Sequence, residues 1–520
     1  MAVKAIFSEC PEAYWLDVAL ILKKEGDWQP CYWIAGPVLE GAIKKAFPGV
    51  IVHDGMDAIR AIKPHGCSLL RDIALNQSLL DSLAVHEPII LTMMDRFDPM
   101  GIFSYQERTR LYHHQLKYWL SVLEYYKPDV VIFASSPHVV YDYILYILCG
   151  LKGIKTIAFA ITIEGLFFPI EKFEDIHKPL IELYRESLSN KSQAQLRLSP
   201  ALDDYFQKVS GTYAEGAPFY YKKFIESIQP QKPLPYIKRK IRAVFKYMRF
   251  FFMQAPAHYI KQKGQRFEDS KMSYLKFIWI CKFQANKKKR KLETCYNKLA
   301  ENVSLDKPYI YVGLHYQPEC STSPNGGIFV NQLLMIEMLS MVMPKGWYIY
   351  VKEHIFQFRP ESLGERSRNE DFYHDLTLLP NVKLVPISVS SFDLIDHSNA
   401  VATVTGTVGW EALIREKPTL VFGYSWYRGC EGVFYTPTLE LCKEAVMKIQ
   451  AGYRVDRQRV RLFLYALELT SFRGYVDSSY EKIAGVSSKE NAITLARAIL
   501  SLYKGDNRAI AQDNHAYKED

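Results

Sequence analysis

The run Asn399-Ala-Val-Ala-Thr-Val404, Thr405-Gly-Thr-Val-Gly-Trp-Glu411 and Lys417-Pro-Thr-Leu-Val-Phe-Gly423 leaves little choice of local fold. It reads as a strand, a tight glycine turn that opens a helix near Thr407, and a second buried strand. Gly406 and Gly409 let a backbone approach a ligand closely. The helix points its free N–H groups and the positive end of its dipole into the turn, a natural place for phosphate or another anion. Glu411 stands one turn into the helix, where a carboxylate accepts hydrogen bonds from sugar hydroxyls or simply complements the dipole. By itself this is also the tight turn of any α/β domain.

Two more strands carry polar residues to the same edge. Tyr309-Ile-Tyr-Val-Gly-Leu-His315 opens into a loop rich in hydroxyls that holds Glu319, Ser321 and Thr322 and ends at Gly326-Gly327. A helix pattern, Asn331 to Ser340, follows. Gly346-Trp-Tyr-Ile-Tyr-Val-Lys-Glu-His354 is a strand ending in Lys352, Glu353 and His354. Ligands of open α/β sheets sit outside the carboxyl ends of the strands. Strand alternation puts Lys352 and His354 on one side and Glu353 on the other.

Residues 1–165 follow the same grammar. Strands are predicted at Cys31–Ala35, Val50–Val52, Pro88–Leu91, Val130–Phe133 and Lys155–Ala158, with helices at Tyr105–Tyr126 and Val139–Leu151. The order implies a parallel sheet covered by helices on both faces. The expected organisation has four parts: a Rossmann-like domain over 1–165, a basic and largely helical segment over 166–305, a Rossmann-like domain over 306–486, and a helix with a polar tail over 487–520.

Several of these segments resemble the bacterial capsule polysaccharide biosynthesis proteins, a group that includes the Kdo transferases of capsule export systems. They are His315-Tyr-Gln-Pro-Glu-Cys-Ser-Thr322, Gly326-Gly327, Val351-Lys-Glu-His354, Thr405-Gly-Thr-Val-Gly-Trp-Glu-Ala412, Lys127-Pro-Asp-Val-Val-Ile-Phe133 and Ser136-Pro-His138. The resemblance covers about residues 105–165 and 305–430. The family's His-Pro pair is His354-Ile355 here. The resemblance implies an α/β fold of two Rossmann-like domains facing across a cleft (GT-B-like), with a nucleotide-sugar held by the second. It also implies that the last helix, Ser488 to Tyr503, crosses back to the first domain. Kdo from a CMP-activated donor is the implied sugar. The Thr-Gly-Thr turn is also similar to the Ser-Gly-Gly turn of UDP-sugar 2-epimerases, which makes a UDP-sugar the nearest alternative.

A chain of 520 residues with 48% hydrophobic content can bury two or three cores. Its nine cysteines are scattered with no C-x-x-C pair, so neither a zinc site nor a disulfide framework is expected. No signal-peptide layout and no spanning apolar run is evident. The expected location is the cytoplasm. Charge is uneven: residues 231–291 hold 18 Lys or Arg against 2 acidic residues, although the whole chain is only +9. Near 236–253, Ile237, Ile241, Val244, Phe245, Met248 and Phe252 share one helical face, opposite Lys238, Arg239, Arg242, Lys246 and Arg249. Such a helix lies on an anionic membrane, here the inner face of the plasma membrane, or links domains with its basic face solvated. The membrane contacts are assigned to Arg239, Arg242, Phe245, Lys246, Arg249 and Phe252. No nucleic-acid motif accompanies the charge.

Glycosyl transfer needs a site that stabilises the departing nucleotide phosphate. The expected donor-binding set is Lys352, His354, Thr405, Gly406, Thr407, Glu411, Ser321, Thr322, Gly326 and Gly327. The acceptor must lose a proton, and the expected bases are His138 first, then Glu319 and His315. No metal or cofactor is expected. The expected partners are the donor, a glycan or glycolipid acceptor, and other polysaccharide-assembly proteins. A contrasting reading is a non-catalytic assembly subunit that keeps the fold and docks partners at the membrane.

Overall fold

The computed structural model describes residues 2–64, 67, 73–98, 103–189, 197–216 and 283–505. The amphipathic basic helix and all six assigned membrane contacts lie outside them. The strands, in chain order, are β1 (Val3–Ser8), β2 (Trp28–Ala35), β3 (Ile51–Asp54), β4 (Val130–Phe133), β5 (Lys155–Ile161), β6 (Leu166–Ile170), β7 (Tyr309–Gly313), β8 (Tyr348–Lys352), β9 (Val382–Leu384), β10 (Ala400–Thr403), β11 (Thr419–Val421), β12 (Val433–Tyr435) and β13 (Phe472–Arg473). They form two sheets, ordered β13-β6-β5-β4-β1-β2-β3 and β12-β11-β10-β7-β8-β9. The second is parallel throughout; in the first, β6 runs antiparallel to both β5 and β13. The protein is therefore an α/β molecule of two Rossmann-like sheets.

In each sheet the chain steps outward over three strands and then returns to the other side of the first. The strand order therefore reverses at β1/β4 and at β7/β10. Crevices open at such points. The central strands are apolar runs buried on both faces, as parallel strands require: Ala5, Ile6 and Phe7 in β1 and Ile310 and Val312 in β7 are fully buried.

Local chemistry sets the helix ends. Helix Tyr105–Tyr126 starts at a capping box formed by Ser104 and Glu107. Helix Val140–Lys152 is buried almost all round and stops at Gly153, whose φ is 65°. The stretch Pro88–Leu91, expected as a strand, lies within helix Glu87–Met93. Pro88 occupies the first turn, where its missing N–H costs nothing, and Ile89, Ile90 and Met93 are buried. Four apolar residues fit either period, and here the helical one wins.

The first sheet continues past residue 165 through β6 and is completed by β13 from near the C-terminus. Helix Ser488–Lys504 packs on helix Tyr14–Gly26 and on β5, β6 and β13. Residues 178–189 and 197–216 instead pack against the second half of the chain. Helix Lys178–Ser189 lies on Arg457–Thr470, and Pro200–Ser210 lies on Thr407–Ile414. Arg415 donates to the carbonyls of Val209 (2.7 Å) and Gly211 (2.8 Å). Among the described residues no helix is long and apolar enough to cross a membrane.

Candidate functional site

A cavity of about 440 Å³ opens at the β7/β10 crevice. His315, Glu319 and Ser321 line it from the β7 loop, Lys352 and His354 from the end of β8, and Thr405, Gly406, Thr407 and Glu411 from the turn after β10. Nine of the expected residues thus come together. Thr322, Gly326, Gly327 and His138 do not line it.

The turn is held by its own strands. Gly406 N–H donates to Thr403 Oγ1 (3.2 Å), and Thr405 N–H donates to His315 Nε2 (3.2 Å). The Thr403 hydroxyl also reaches His315 Nε2 (3.1 Å). A Cβ on Gly406 would stand 2.8 Å from Thr403 Oγ1 and 3.1 Å from His315 Cε1, so glycine is required there. Gly409 has a different task from the expected one. Its Cβ would meet the Tyr427 hydroxyl at 2.4 Å and Thr419 Cγ2 at 2.7 Å, which fits helix-on-sheet packing rather than ligand approach. Helix Thr407–Ile414 carries no acidic residue in its first turn and no side-chain cap. The Gly409 N–H donates to the Gly406 carbonyl (3.1 Å), while Thr407 and Val408, ahead of it in the helix, line the cavity with no side chain capping the helix start. Thr405 Oγ1 is buried and has no hydrogen-bond partner. A buried hydroxyl without a partner beside a helix start without a side-chain cap has the chemistry to hydrogen-bond an anion.

His354 completes that end. Its Nδ1 accepts from Phe356 N–H (3.2 Å), which leaves the proton on Nε2. Burial, opposed by the charge of Glu319, pulls its pKa down to about 4, so it is a neutral hydrogen-bond donor. Lys352 Nζ donates to Ser391 Oγ (3.0 Å) and to the Val389 carbonyl. Burial lowers its pKa to about 8, against the pull of Asp393. Glu411, on helix Thr407–Ile414, also lines the cavity and is 8% exposed. Burial pushes its carboxyl up to about 7, with Arg415 partly offsetting the rise. Near neutral pH it both donates and accepts.

The expected bases prove to be engaged elsewhere. Two donors converge on His315 Nε2, so its proton sits on Nδ1, 3.2 Å from Glu319 Oε1. His315 holds the glycine turn and has no lone pair to spare for an acceptor. Burial would raise the Glu319 carboxyl, but hydrogen bonds from His315 and Thr322 bring it below its ordinary value, which makes a weak base. His138 follows β4 in the other sheet, its Nδ1 2.9 Å from the Ser136 carbonyl. Thr322 is fully buried and hydrogen-bonded to the Gln317 amide. Gly326 packs against Val404 and Gly423, and Gly327 turns the chain with φ 54°.

Glu353, opposite to its strand neighbours as alternation expects, is buried and holds the site from behind. Arg368 Nε meets its Oε2 at 3.1 Å, and Tyr373 donates to the same oxygen (2.8 Å). Its Oε1 accepts from His354 N–H (2.7 Å). Arg368 Nη2 also reaches the His315 carbonyl (3.2 Å). One buried ion pair therefore ties together the two loops that bear the cavity's histidines. Arg368 and Ser391 were missed from sequence. The Ser390-x-x-Asp393 helix start was a signal for Ser391, since Ser390 caps that helix; Arg368 had none.

The lobes meet beside the cavity. Arg96 donates to the Glu319 carbonyl, and Ser367 Oγ lies 3.5 Å from Asp95 Oδ2. Among the described residues no cluster of three or more His, Cys, Asp or Glu is placed to hold a metal ion.

Residues 229–452 match the family model of capsule polysaccharide biosynthesis proteins. No curated protein matches the chain. Among solved structures, one similar to it is the KpsC beta Kdo 2,7 transferase of Thermosulfurimonas dismutans. The two are 18% identical over 38% of this chain and 60% of that one, less than two thirds of its length, with a TM-score of 0.22. The UDP-GlcNAc 2-epimerase of Neisseria meningitidis bound to UDP-GlcNAc is 14% identical over 97% of this chain and 100% of that one (TM-score 0.21). The UDP-GlcNAc 2-epimerase of Methanocaldococcus jannaschii is 12% identical over 89% and 98% (TM-score 0.23). The motifs of the β7, β8 and β10 strand ends fall within residues 229–452, the stretch that matches the capsule polysaccharide biosynthesis family.

Proposed function

We propose that this protein is a nucleotide-sugar-dependent glycosyltransferase of bacterial surface-polysaccharide assembly, with its donor in the β7/β10 cavity. The observation that carries the reading is the uncapped start of helix Thr407–Ile414 beside the orphaned Thr405 hydroxyl. When the anomeric bond breaks, charge accumulates on the nucleotide phosphate. Preorganised N–H and O–H donors aimed at that charge lower the barrier. Thr405, Thr407 and the neutral Nε2–H of His354 are such donors, and Lys352 adds positive charge. Glu411, one turn into the same helix and lining the cavity, suits ribose or sugar hydroxyls. Once its proton is lost it accepts from them.

The preferred donor is a CMP-activated acidic sugar such as Kdo, in keeping with the family; a UDP-sugar is the alternative. The acceptor is a glycan or lipid-linked primer. The basic segment within 231–291 supports attachment to an anionic membrane surface, and flotation of the protein with anionic against neutral vesicles tests that part. The donor is tested by thermal unfolding in the presence of CMP, UDP, GDP and their sugars, since a ligand of the native state raises the melting temperature. A rise with CMP that disappears in His354→Ala and Glu411→Ala supports the reading. A rise with UDP alone moves the donor to a UDP-sugar. No rise with any nucleotide, and no turnover of their sugars with a glycan acceptor, favours the non-catalytic assembly subunit.

A further inference from the structure

The β7/β10 cavity has a wall residue that its own sheet does not supply. Tyr480 lines it together with Thr405, Gly406, Thr407 and Glu411. The segment that carries Tyr480 follows β13 and is docked on the first lobe. The Gly474 N–H donates to the Gly165 carbonyl (2.9 Å). Asn491 takes both backbone groups of Tyr475, accepting its N–H (2.8 Å) and donating to its carbonyl (2.9 Å). The Tyr14 hydroxyl donates to the Val476 carbonyl (2.8 Å), and the Ser478 hydroxyl donates to Glu12 Oε1 (3.2 Å). Asp477 fixes the short turn Ser478–Tyr480 by accepting the Ser479 N–H (2.7 Å). Past Tyr480 the segment touches the first lobe again: a Cβ on Gly165 would stand 2.6 Å from Ala484 Cα. Tyr480 is thus anchored on both sides and half-buried.

We propose that Tyr480 is a specificity-determining residue of the donor cavity, its ring packed on a ring face of the donor beyond the phosphate. This rests on the donor reading above. The cavity offers two chemistries at once. The second lobe supplies the groups for an anion, and Tyr213, Tyr311, Tyr316, Phe356 and Tyr480 add aromatic surface. A ligand that uses both carries a phosphate and a flat ring, as a nucleotide-sugar does. Tyrosine suits such a contact, with an apolar face and a polar tip. The second lobe's own rings also serve its frame. The Tyr311 hydroxyl donates to Ser391 Oγ (3.4 Å), the Tyr316 hydroxyl accepts the Leu363 N–H (2.8 Å), and Phe356 stacks on His354 with centroids 5.5 Å apart. Tyr213 stands edge-on to Phe392, centroids 5.0 Å apart. Tyr480 is held by the first lobe, so a ligand that touches both it and the Thr405 turn bridges the lobes. Burial, with the charge of Asp477 adding to it, raises the Tyr480 phenol above its ordinary value. The ring therefore stays uncharged beside an anion.

The test is calorimetric titration of the full-length wild type, Tyr480→Phe and Tyr480→Leu with CMP, UDP and their sugars. Phenylalanine should keep the wild-type affinity. Leucine should weaken it about tenfold or more, the worth of one stacked ring. A loss already present with CMP or UDP assigns the contact to the base, and a loss confined to the nucleotide-sugar assigns it to the sugar. A folded leucine variant with wild-type affinity for both overturns the proposal. So does a phenylalanine variant as weak as leucine, which gives the effect to the hydroxyl. Nitration of Tyr480 by tetranitromethane, read by peptide mass spectrometry, needs no variant to fold. Saturating nucleotide-sugar should slow it several-fold, and an unchanged rate overturns the proposal. A wild type that binds none of these ligands fails the donor reading itself, whereas wild-type binding that leucine leaves intact fails this proposal alone.

Discussion

The two crevices occupy equivalent positions and are prepared for different work. At β1/β4 the helix Val140–Lys152 follows Ser135-Ser136-Pro137-His138, and its own Asp142 fills the helix start by accepting the His138 N–H at 3.1 Å. Tyr141 donates to Glu9, the residue after β1, which has a left-handed φ of 53°. Burial pushes Asp142 up to about 7; His138 lowers it and Glu9 adds to the rise. At β7/β10 a glycine replaces that plug, the first helical turn carries no carboxylate, and a threonine hydroxyl is left unpaired. Equivalent topology makes two crevices. Whether a crevice can take an anion is decided by one or two residues at the helix start.

The largest expected effect comes from breaking the frame behind the open crevice. Arg368→Met leaves the Glu353 carboxylate buried and unpaired, at a cost of about 3–5 kcal/mol. It should also loosen both histidine loops, so denaturant unfolding and nucleotide affinity should fall together. Adding Glu353→Gln to that variant should recover part of the stability. A single variant as stable as wild type would remove the frame from the account.

Gly406→Ala should act more locally. A Cβ there presses on Thr403 and His315, so the turn must shift, and nucleotide affinity by calorimetry should drop about tenfold or more, the loss of one good hydrogen bond. The same measurement on a folded variant with unchanged affinity would take the glycine turn out of the site.

Glu411→Gln separates stability from function. The folded pKa of Glu411, about 7, lies above the unfolded carboxylate range. Its contribution is therefore fully present in acid and is lost as pH rises through about 7. Glutamine should stabilise the protein by roughly 1–3 kcal/mol at pH 8 and hardly at all at pH 4. Wild-type nucleotide binding should tighten as pH falls from about 8 to 6, because protonation removes a negative charge from the cavity. Lys352, charged below about 8, acts in the same direction. Melting curves and titrations at the two pH values check both parts, and a variant that keeps the whole pH slope of binding would assign it to Lys352. The smallest effect is expected in the other crevice: Asp142→Asn should leave nucleotide affinity within about twofold, well below the contribution of a single hydrogen bond.

Much of the frame was legible because short-range physics wrote it. The strand ends at Gly313, Lys352 and Thr403 follow from buried apolar runs, and the start of helix Tyr105–Tyr126 from its capping box. Convergence of His315, Lys352, His354 and Thr405 followed from strand-end position alone, since parallel strands present their carboxyl ends to one edge. Roles were harder. Gly406 and Gly409 look alike in sequence, and only the packing of Tyr427 and Thr419 tells them apart. His315 reads as a free base until Thr403, Thr405 and Glu319 are seen to use both ring nitrogens. Contacts such as Arg368 to Glu353, and Arg415 to the Val209 carbonyl from far along the chain, leave no periodic trace.

The central claim is that the open helix start binds the donor's anionic group, and Thr405→Val tests it most directly. The swap removes the unpaired hydroxyl and little else, so the melting temperature of the free protein should hold or rise slightly. Titration of the nucleotide that stabilises the wild type should then show an affinity roughly 10–100-fold weaker, the value of a hydrogen bond to a charged group. A valine variant that is folded and binds that nucleotide as tightly as the wild type would contradict the account.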